Sequence, residues 1–389
     1  MSEINSSNFK KEHGDLAPDL VGVSELTSPY FFVPPSGTTA ERPSDCEPGT
    51  LRFNTDHGTL EIFRGKTIGW EQIQRRDSQY LGGGTGSNAG TGTRAVSFGG
   101  SLQASPGPVV NTIDFVTIEV LGDATDFGDL AHVETSMGVV ADNTRMLSIG
   151  GDSNSPGLIN TIEFITIAST GNAQDFGDAL TGCVRHPYSG GNKTRGVYGG
   201  GGSPTNVNTL EFVTIQSEGN GVDFGDLQNV GQFRRGNAGS TTRGIIMGNY
   251  APGGDSHANH NTIEFITFAT TGNGADFGDL TGTMSDATSS SNCIRAVRYG
   301  KWPTNGTIDF VTIATLGNAI DFGEMLDDAY HAGSCTNPTR MLHLGGSNKT
   351  YYNSIEFITI MTTGNGQDFG DLTSSVRGNG ANSNGHGGL

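Results

Sequence analysis

Asn111-Thr112-Ile113-Asp114-Phe115-Val116-Thr117-Ile118 is the stretch on which the fold turns, because close variants of it return at Asn160, Asn208, Asn261, Gly306 and Asn353. The central phenylalanines of the six copies, Phe115, Phe164, Phe212, Phe265, Phe310 and Phe357, stand 49, 48, 53, 45 and 47 residues apart. A period of this length marks a repeat architecture with one supersecondary unit per copy. Within the stretch, apolar groups occupy both alternating faces, Ile113 and Phe115 on one, Val116 and Ile118 on the other. A strand buried on both faces is implied. Successive blades packed face to face in a ring would supply that burial and leave few open sheet edges.

Twelve residues beyond each central phenylalanine stands a second, inside an Asp-Phe-Gly motif, at Phe127, Phe176, Phe224, Phe277, Phe322 and Phe369. That fixed interval reads as a rigid hairpin. Upstream of each copy lies a Thr-Arg element or a variant of it, beginning at Thr93, Thr144, Thr194, Thr242, Ile294 and Thr339, and its variable distance to the copy marks a surface loop. Each Asp-Phe-Gly is followed by enough chain for a fourth strand before the next Thr-Arg. The first Thr-Arg lacks a preceding Asp-Phe-Gly, and the last Asp-Phe-Gly lacks a following Thr-Arg, so Ser375–Asn384 is expected to complete the first blade, with Gly82–Gly92 as the competing segment. Ahead of the repeats, Leu51-Arg52-Phe53 and Leu60–Phe63 alternate across an Asn-Thr-Asp-His-Gly turn, a hairpin signal. The expected fold is all-β: a six-bladed β-propeller over 81–389, preceded over 1–80 by an extended arm and a small β-hairpin module that packs on the propeller or on identical neighbours. A homo-oligomer is thus left open.

The composition of the 389 residues, with 61 glycines, 33% hydrophobic and 16% charged residues, fits many short strands rather than a helix bundle or a disordered chain. A net charge of −18 without any run of Lys and Arg disfavours nucleic acid and anionic membranes as partners. Membrane insertion is not expected, since no apolar stretch approaches the roughly 18–20 residues that cross a bilayer, and Met1–Asp15 carries no signal-like apolar core. Cys46, Cys183, Cys293 and Cys335 are scattered without metal-binding or disulfide spacing and read as free thiols of a reducing cytoplasm.

The run Gly-Thr-Thr-Ala-Glu-Arg-Pro at Gly37 and Gly-Thr-Leu-Arg-Phe-Asn-Thr-Asp-His-Gly-Thr-Leu-Glu at Gly49, followed by Trp70, resembles a small module of bacteriophage tail and fibre proteins. The repeats are similar to those of marine and cyanobacterial phage structural proteins, in which the Thr-Arg, Asn-Thr-Ile-Glu and Asp-Phe-Gly-Asp-Leu elements recur, and more distantly to kelch-type blades. The resemblance spans residues 37–389. It implies a virion protein of the tail, collar or fibre apparatus, made and assembled in the host cytoplasm, with residues 1–80 attached to other virion proteins and the propeller displayed outward. The double glycine of the repeat is lost at Met247-Gly248-Asn249 and at Tyr299-Gly300-Lys301, where a role common to all six copies is in doubt.

Six Asp-Phe-Gly copies without a glycine-rich loop, strand lysine or His-Arg-Asp loop do not make a kinase site. Asp126, Asp175, Asp223, Asp276, Asp321 and Asp368 are instead expected to cap backbone amides in Asx-type turns, with the phenylalanine in the core and the glycine at positive φ. Two carboxylates per loop are too few for a calcium ion, and neither metal nor cofactor is expected. Arg94, Arg145, Arg195, Arg243, Arg295 and Arg340 match one to one the acids Asp114, Glu163, Glu211, Glu264, Asp309 and Glu356, a count that suggests a repeated ion pair setting register. The glycine-rich run at Gly82 precedes no helix that could hold a phosphate and reads as a linker. No Ser-His-Asp set or isolated carboxylate pair stands out, so a non-enzymatic protein is expected. Departures from symmetry fall in loops, and Tyr250, His257, Trp302, Tyr351 and Tyr352 are the candidates for stacking on and bonding to a host-surface glycan. A free carbohydrate-binding propeller and, further off, a propeller hydrolase or oxidase are the alternatives.

Overall fold

A computed structural model describes residues 34–389, apart from 57–58, 68, 73–92, 104–106, 154–156, 181–185, 204, 232–235, 252–257, 285 and 301–305. The chain divides into two compact units, Met1–Arg75 and Arg76–Leu389. Among the described residues the fold is all-β, a set of small, mainly antiparallel sheets whose only helical element is the single 3-10 turn Thr39–Glu41.

In the first unit, strands Leu51–Asn54, Thr59–Phe63 and Trp70–Gln72 form an antiparallel meander, and Ser36–Gly37 joins Leu51–Asn54 in parallel. One face of this sheet is polar yet buried. Arg52, Asn54 and Glu61 are at most 5% exposed, held because Glu61 pairs with Arg42, Asn54 Nδ2 donates to Glu61 Oε1 at 2.8 Å, and Arg52 donates to the Thr38 carbonyl at 2.9 Å. The Arg42 guanidinium keeps the Glu61 carboxyl below its ordinary range.

In the second unit each repeat copy builds one sheet around its Thr-Arg and Asn-Thr-Ile strands. The second sheet is typical: the short edge strand Gly138–Ala141, then Arg145–Asp152, Leu158–Thr166 and Gln174–Asp178. The third, fifth and sixth sheets repeat this order from the short edge strands Tyr188–Gly191, Thr288–Ser291 and Gly333–Thr336. In the fourth, three strands are joined by a bridge between Gly239 and Gly244. The first sheet holds Arg94–Leu102, Val109–Thr117 and Thr125–Asp129, and its edge comes from the far end of the chain. Gly380–Ser383 and Val376–Arg377 both pair with Arg94–Leu102, as the mismatch of the repeat's two ends requires. The competing segment, Gly82–Gly92, lies outside the described residues.

The double-faced strand is realised directly. Ile113 packs with Val96, Phe98 and Phe127 against Met137, Val139 and Ile165 of the second sheet, whereas Val116 and Ile118 pack against Leu342, Leu344 and Phe357 of the sixth. Similar apolar clusters join second to third, third to fourth, fourth to fifth and fifth to sixth. Hydrogen bonds follow the same succession: Gly171, Gly219, Gly272, Gly317 and Gly364 each donate to the carbonyl of the Asp-Phe-Gly phenylalanine one sheet earlier, and Gly122 of the first sheet donates to that of Phe369 in the sixth.

The expected arginine–acid ion pairs do not form. Arg94 stands opposite Thr117 and Asp114 opposite Ser97, so the two side chains leave opposite faces of the sheet about 10 Å apart along it. Each guanidinium lies over its own sheet's central phenylalanine, 4.4–5.0 Å from the ring centroid, and that ring meets the Asp-Phe-Gly ring edge-on in every sheet. Five of the six then donate to a carbonyl of the next sheet, Arg340 closing the series on Ile118. Arg145 departs from this, reaching Glu218 at 3.7 Å instead. The acids point backward: Glu163 accepts from the Ala131 amide, Glu211 from Leu180, Glu264 from Gln228, Glu356 from Leu326 and Asp114 from Thr373, each the fourth residue after the preceding sheet's Asp-Phe-Gly phenylalanine.

The Asx turns also lie elsewhere than expected. The Asp-Phe-Gly aspartates are exposed strand residues, while their phenylalanines are buried and their glycines have positive φ. The turns belong to the residue two before each Thr-Arg threonine: Asp142, Asn192, Asn292 and Asn337 Oδ1 each accept the next two amides of the Thr-Arg pair at 2.7–3.0 Å. In the first sheet this residue is Asn384, which accepts from Arg94 N–H at 2.9 Å.

Beyond Asn384 the chain stays buried. His386 Nε2 lies 2.8 Å from the Ala141 carbonyl, and its Nδ1 accepts from the Gly388 amide at 3.2 Å, so the partners fix a neutral ring with the proton on Nε2. Burial pulls its pKa down to about 4, and that of buried His343 to about 3. The unfolded chain therefore takes up these protons near pH 6.5 and the folded one only near pH 3–4, so the contribution of these two histidines to stability is complete above about pH 6.5 and is lost on acidification. His386→Asn, which keeps a donor for Ala141, is expected to recover up to about 3 kcal/mol of that loss. Thermal unfolding between about pH 7 and pH 4 measures it, and an unchanged acid slope would assign the loss to other groups.

Candidate functional site

The residue two positions before each short edge strand is Ser136, His186, Asp286 and His331 in the second, third, fifth and sixth sheets and Gly378 in the first. Arg234, the fourth-sheet counterpart, lies outside the described residues. All five described residues are left-handed, with φ of 65, 54, 58, 59 and 73°. For the four that carry a Cβ this conformation costs roughly 1–3 kcal/mol each, and strain of this kind gathers where a fold holds groups for use. Backbone bonds string them together: His331 N–H donates to Asp286, Gly378 to His331, Ser136 to Gly378 and His186 to Ser136, at 2.6–3.1 Å.

The side chains converge. His331 Nε2 is 2.5 Å from Asp286 Oδ1, the His186 ring stacks on His331 with centroids 5.1 Å apart and planes at 17°, and Tyr330 meets His331 edge-on at 5.2 Å. Asp286 and His186 are nearly buried, at 8% and 9%. Beside them a narrow pit runs between the edge strands, lined by Met137, Pro187, Ser189, Thr288, Ser334 and Asn379, with room for water and not for a sugar ring. Asn237 spans this interior, donating to the Ser334 and Ala381 carbonyls at 3.0 Å and accepting from Ser290 Oγ. Next to the cluster, burial drives the Glu134 carboxyl well above its ordinary value, with Ser148 Oγ donating to it.

A carboxylate on one imidazole nitrogen orients the ring. The cluster thus offers an oriented imidazole, a second imidazole face and a hydroxyl, suited to bonding polar groups of a ligand. A scan against protein-family models finds no match for the chain, and no curated protein matches it. Among the described residues no group of three or more His, Cys, Asp or Glu is arranged to hold a metal ion.

Of the residues singled out from sequence, His257 and Trp302 lie outside the described residues. Tyr250 is a half-buried residue of strand Arg243–Ala251, opposite Asn259. Tyr351 is half-buried in the sixth sheet's loop, its ring covered at 4.9 Å by the Arg377 guanidinium, and Tyr352 packs against the apolar cluster between the fifth and sixth sheets. The three tyrosines belong to the fourth and sixth sheets and do not share a surface within one sheet. The cluster of His186, Asp286 and His331 escaped sequence reading because the repeat was aligned on its constant residues. Aligning the second to sixth copies on Thr-Arg and looking eight residues upstream would have shown a column of Ser, His, Arg, Asp and His, unlike in chemistry at one place.

Proposed function

We propose that the six sheets are the blades of a six-bladed propeller and that the protein is a non-enzymatic structural component of a phage particle, of the tail, collar or fibre apparatus. Residues 1–80 attach it to other virion proteins, and the propeller is turned outward for contact with the host surface. One observation carries this reading. The repeated arginines and acids join each sheet to its neighbours, while unlike residues gather at one end of the edge strands, around His186, Asp286 and His331. A scaffold of equivalent joints with one unlike face suits a rigid display module that recognises a surface group. The phage resemblance of residues 37–74 supplies the setting.

The hydrogen-bonded His331–Asp286 pair favours hydrolysis as a second reading, since such a pair orients a general base. A cryo-electron-microscopy reconstruction of the particle tests the first. Residues 1–80 held among other virion proteins with the His186–His331 end facing outward is the expected result. A free chain that hydrolyses a glycan, and loses that activity in Asp286→Asn, would replace the structural reading with the catalytic one.

A further inference from the structure

Each sheet's hairpin tip reaches back to the sheet before it through one pair of bonds. In the third sheet Asn220 Oδ1 accepts from the Asp178 amide at 3.1 Å, and the amide of the next residue, Gly221, donates to the Asp178 carbonyl at 2.8 Å. The same pair joins Asn273 and Gly274 to Asp226, and Asn365 and Gly366 to Glu324, at 2.7–3.1 Å. At the other three junctions an alanine follows: Asn172-Ala173, Asn318-Ala319 and Asp123-Ala124 make the equivalent bonds to Asp129, Asp279 and Asp371.

Packing decides which residue follows. A Cβ at Gly221 would lie 2.2 Å from Tyr198 Oη and 2.6 Å from Glu211 Oε2, one at Gly274 2.8 Å from Glu264 Oε2, and one at Gly366 2.4 Å from Tyr299 Oη and 2.8 Å from Glu356 Oε2. Two of the alanines belong to sheets whose buried acid is the shorter aspartate, Asp114 and Asp309, and in the third sheet with alanine Glu163 is drawn onto His132 at 2.7 Å. The three glycines are thus dictated by the acids beside them. Each leaves an Asn-Gly pair whose asparagine is exposed, and glycine, lacking a Cβ, hinders attack by its own amide nitrogen least.

We propose that Asn220, Asn273 and Asn365 are sites of spontaneous deamidation, held in check by the sheet before each of them. In the reaction the glycine nitrogen loses its proton and bonds to the asparagine Cγ, the Cγ–Nδ2 bond breaks, and ammonia leaves. Water then opens the resulting succinimide at one carbonyl to give aspartate or at the other to give isoaspartate. In the folded chain the glycine N–H is spent on a carbonyl and the asparagine Oδ1 on an amide of the neighbouring sheet. The junction must open before the nitrogen can reach Cγ, so the rate follows local opening. Asp123 already accepts the Asp371 amide at 3.1 Å, so an aspartate product leaves the junction intact. Isoaspartate instead adds a methylene to the backbone and carries the glycine amide away from its carbonyl. These junctions are the same whatever the protein binds.

The test is incubation of the full-length chain at mildly alkaline pH, folded and in urea, with peptide mass spectrometry and isoaspartate detection. In urea Asn220, Asn273 and Asn365 are expected to convert well ahead of Asn172 and Asn318, and folding is expected to slow all three at least about tenfold, as the loss of two hydrogen bonds requires. Conversion at the same rate folded and unfolded, or Asn172 and Asn318 keeping pace in urea, overturns the proposal. Ala173→Gly extends the test to a fourth junction. Asn172 of this variant is expected to become as labile as the other three in urea and to stay slow when folded, with Asn220 of the same chain, also slow, showing that the fold is kept. Fast conversion of Asn172 beside a slow Asn220 would show that the bonds to the preceding sheet do not protect.

Discussion

Gly128→Val is expected to destabilise the protein by about 4 kcal/mol, in the range reserved for buried steric conflict. A Cβ at Gly128 would sit 2.4 Å from the Gly171 carbonyl oxygen, and the φ of +149° is itself hostile to a side chain. The same approach recurs at Gly177, Gly225, Gly278, Gly323 and Gly370, each against the glycine of the following copy. The substitution therefore forces two sheets apart where the Gly171 amide reaches the Phe127 carbonyl. Gly171→Ala is the control, because Gly171 has nearly the same φ with open space around it. Thermal unfolding should show a fall of roughly 10 °C for Gly128→Val and a few degrees for the control. Equal falls would show that backbone strain, and not close approach, sets the cost.

Removing Val376–Leu389 is expected to have a larger effect still. The first sheet would lose the two C-terminal strands paired with Arg94–Leu102, the Asn384 cap on the Arg94 amide and the buried His386. Val376 and Ala381 would leave the apolar cluster shared by the sixth and first sheets. Ala95, Val96 and Phe98, all fully buried, would lose the strand that shields their backbone. The expected outcome is proteolysis beginning within Arg94–Asp129, followed by limited digestion and mass spectrometry. Restoring the 14 residues as a separate peptide should slow cleavage there. A truncated chain as resistant as the intact one would show that the sheet stands without its closing strands.

What the sequence disclosed and what it concealed follow one physical division. Strand positions, the hairpin interval and the far-end completion of the first sheet were legible because apolar periodicity and copy number depend on local spacing, as in Thr112–Ile118. The side-chain bonds were not, because they cross between sheets. Arg94 and Asp114 matched in number, yet their register sends one forward to Ile167 and leaves the other bonded to Thr373. The Asx turns were sought at Asp126 because aspartate precedes a glycine there. The residues that form them, such as Asp142 and Asn337, were visible two places before each Thr-Arg, but nothing local distinguished them from ordinary loop residues. The cluster at His186, Asp286 and His331 depends on five left-handed residues meeting from separate copies, and no single copy signals it.

The cap that Asn384 places on Arg94 joins residues 290 positions apart. At a synthesis rate of about 5–20 residues per second, roughly 15–60 s separate the emergence of these two residues from the ribosome. Throughout that interval the strand made first waits with one edge unpaired while five later sheets are completed beside it. The cell must keep that edge from neighbouring nascent chains carrying the same repeats. Crowding of many copies on one message is thus the condition under which this chain is most exposed to exchanging its last strand with another.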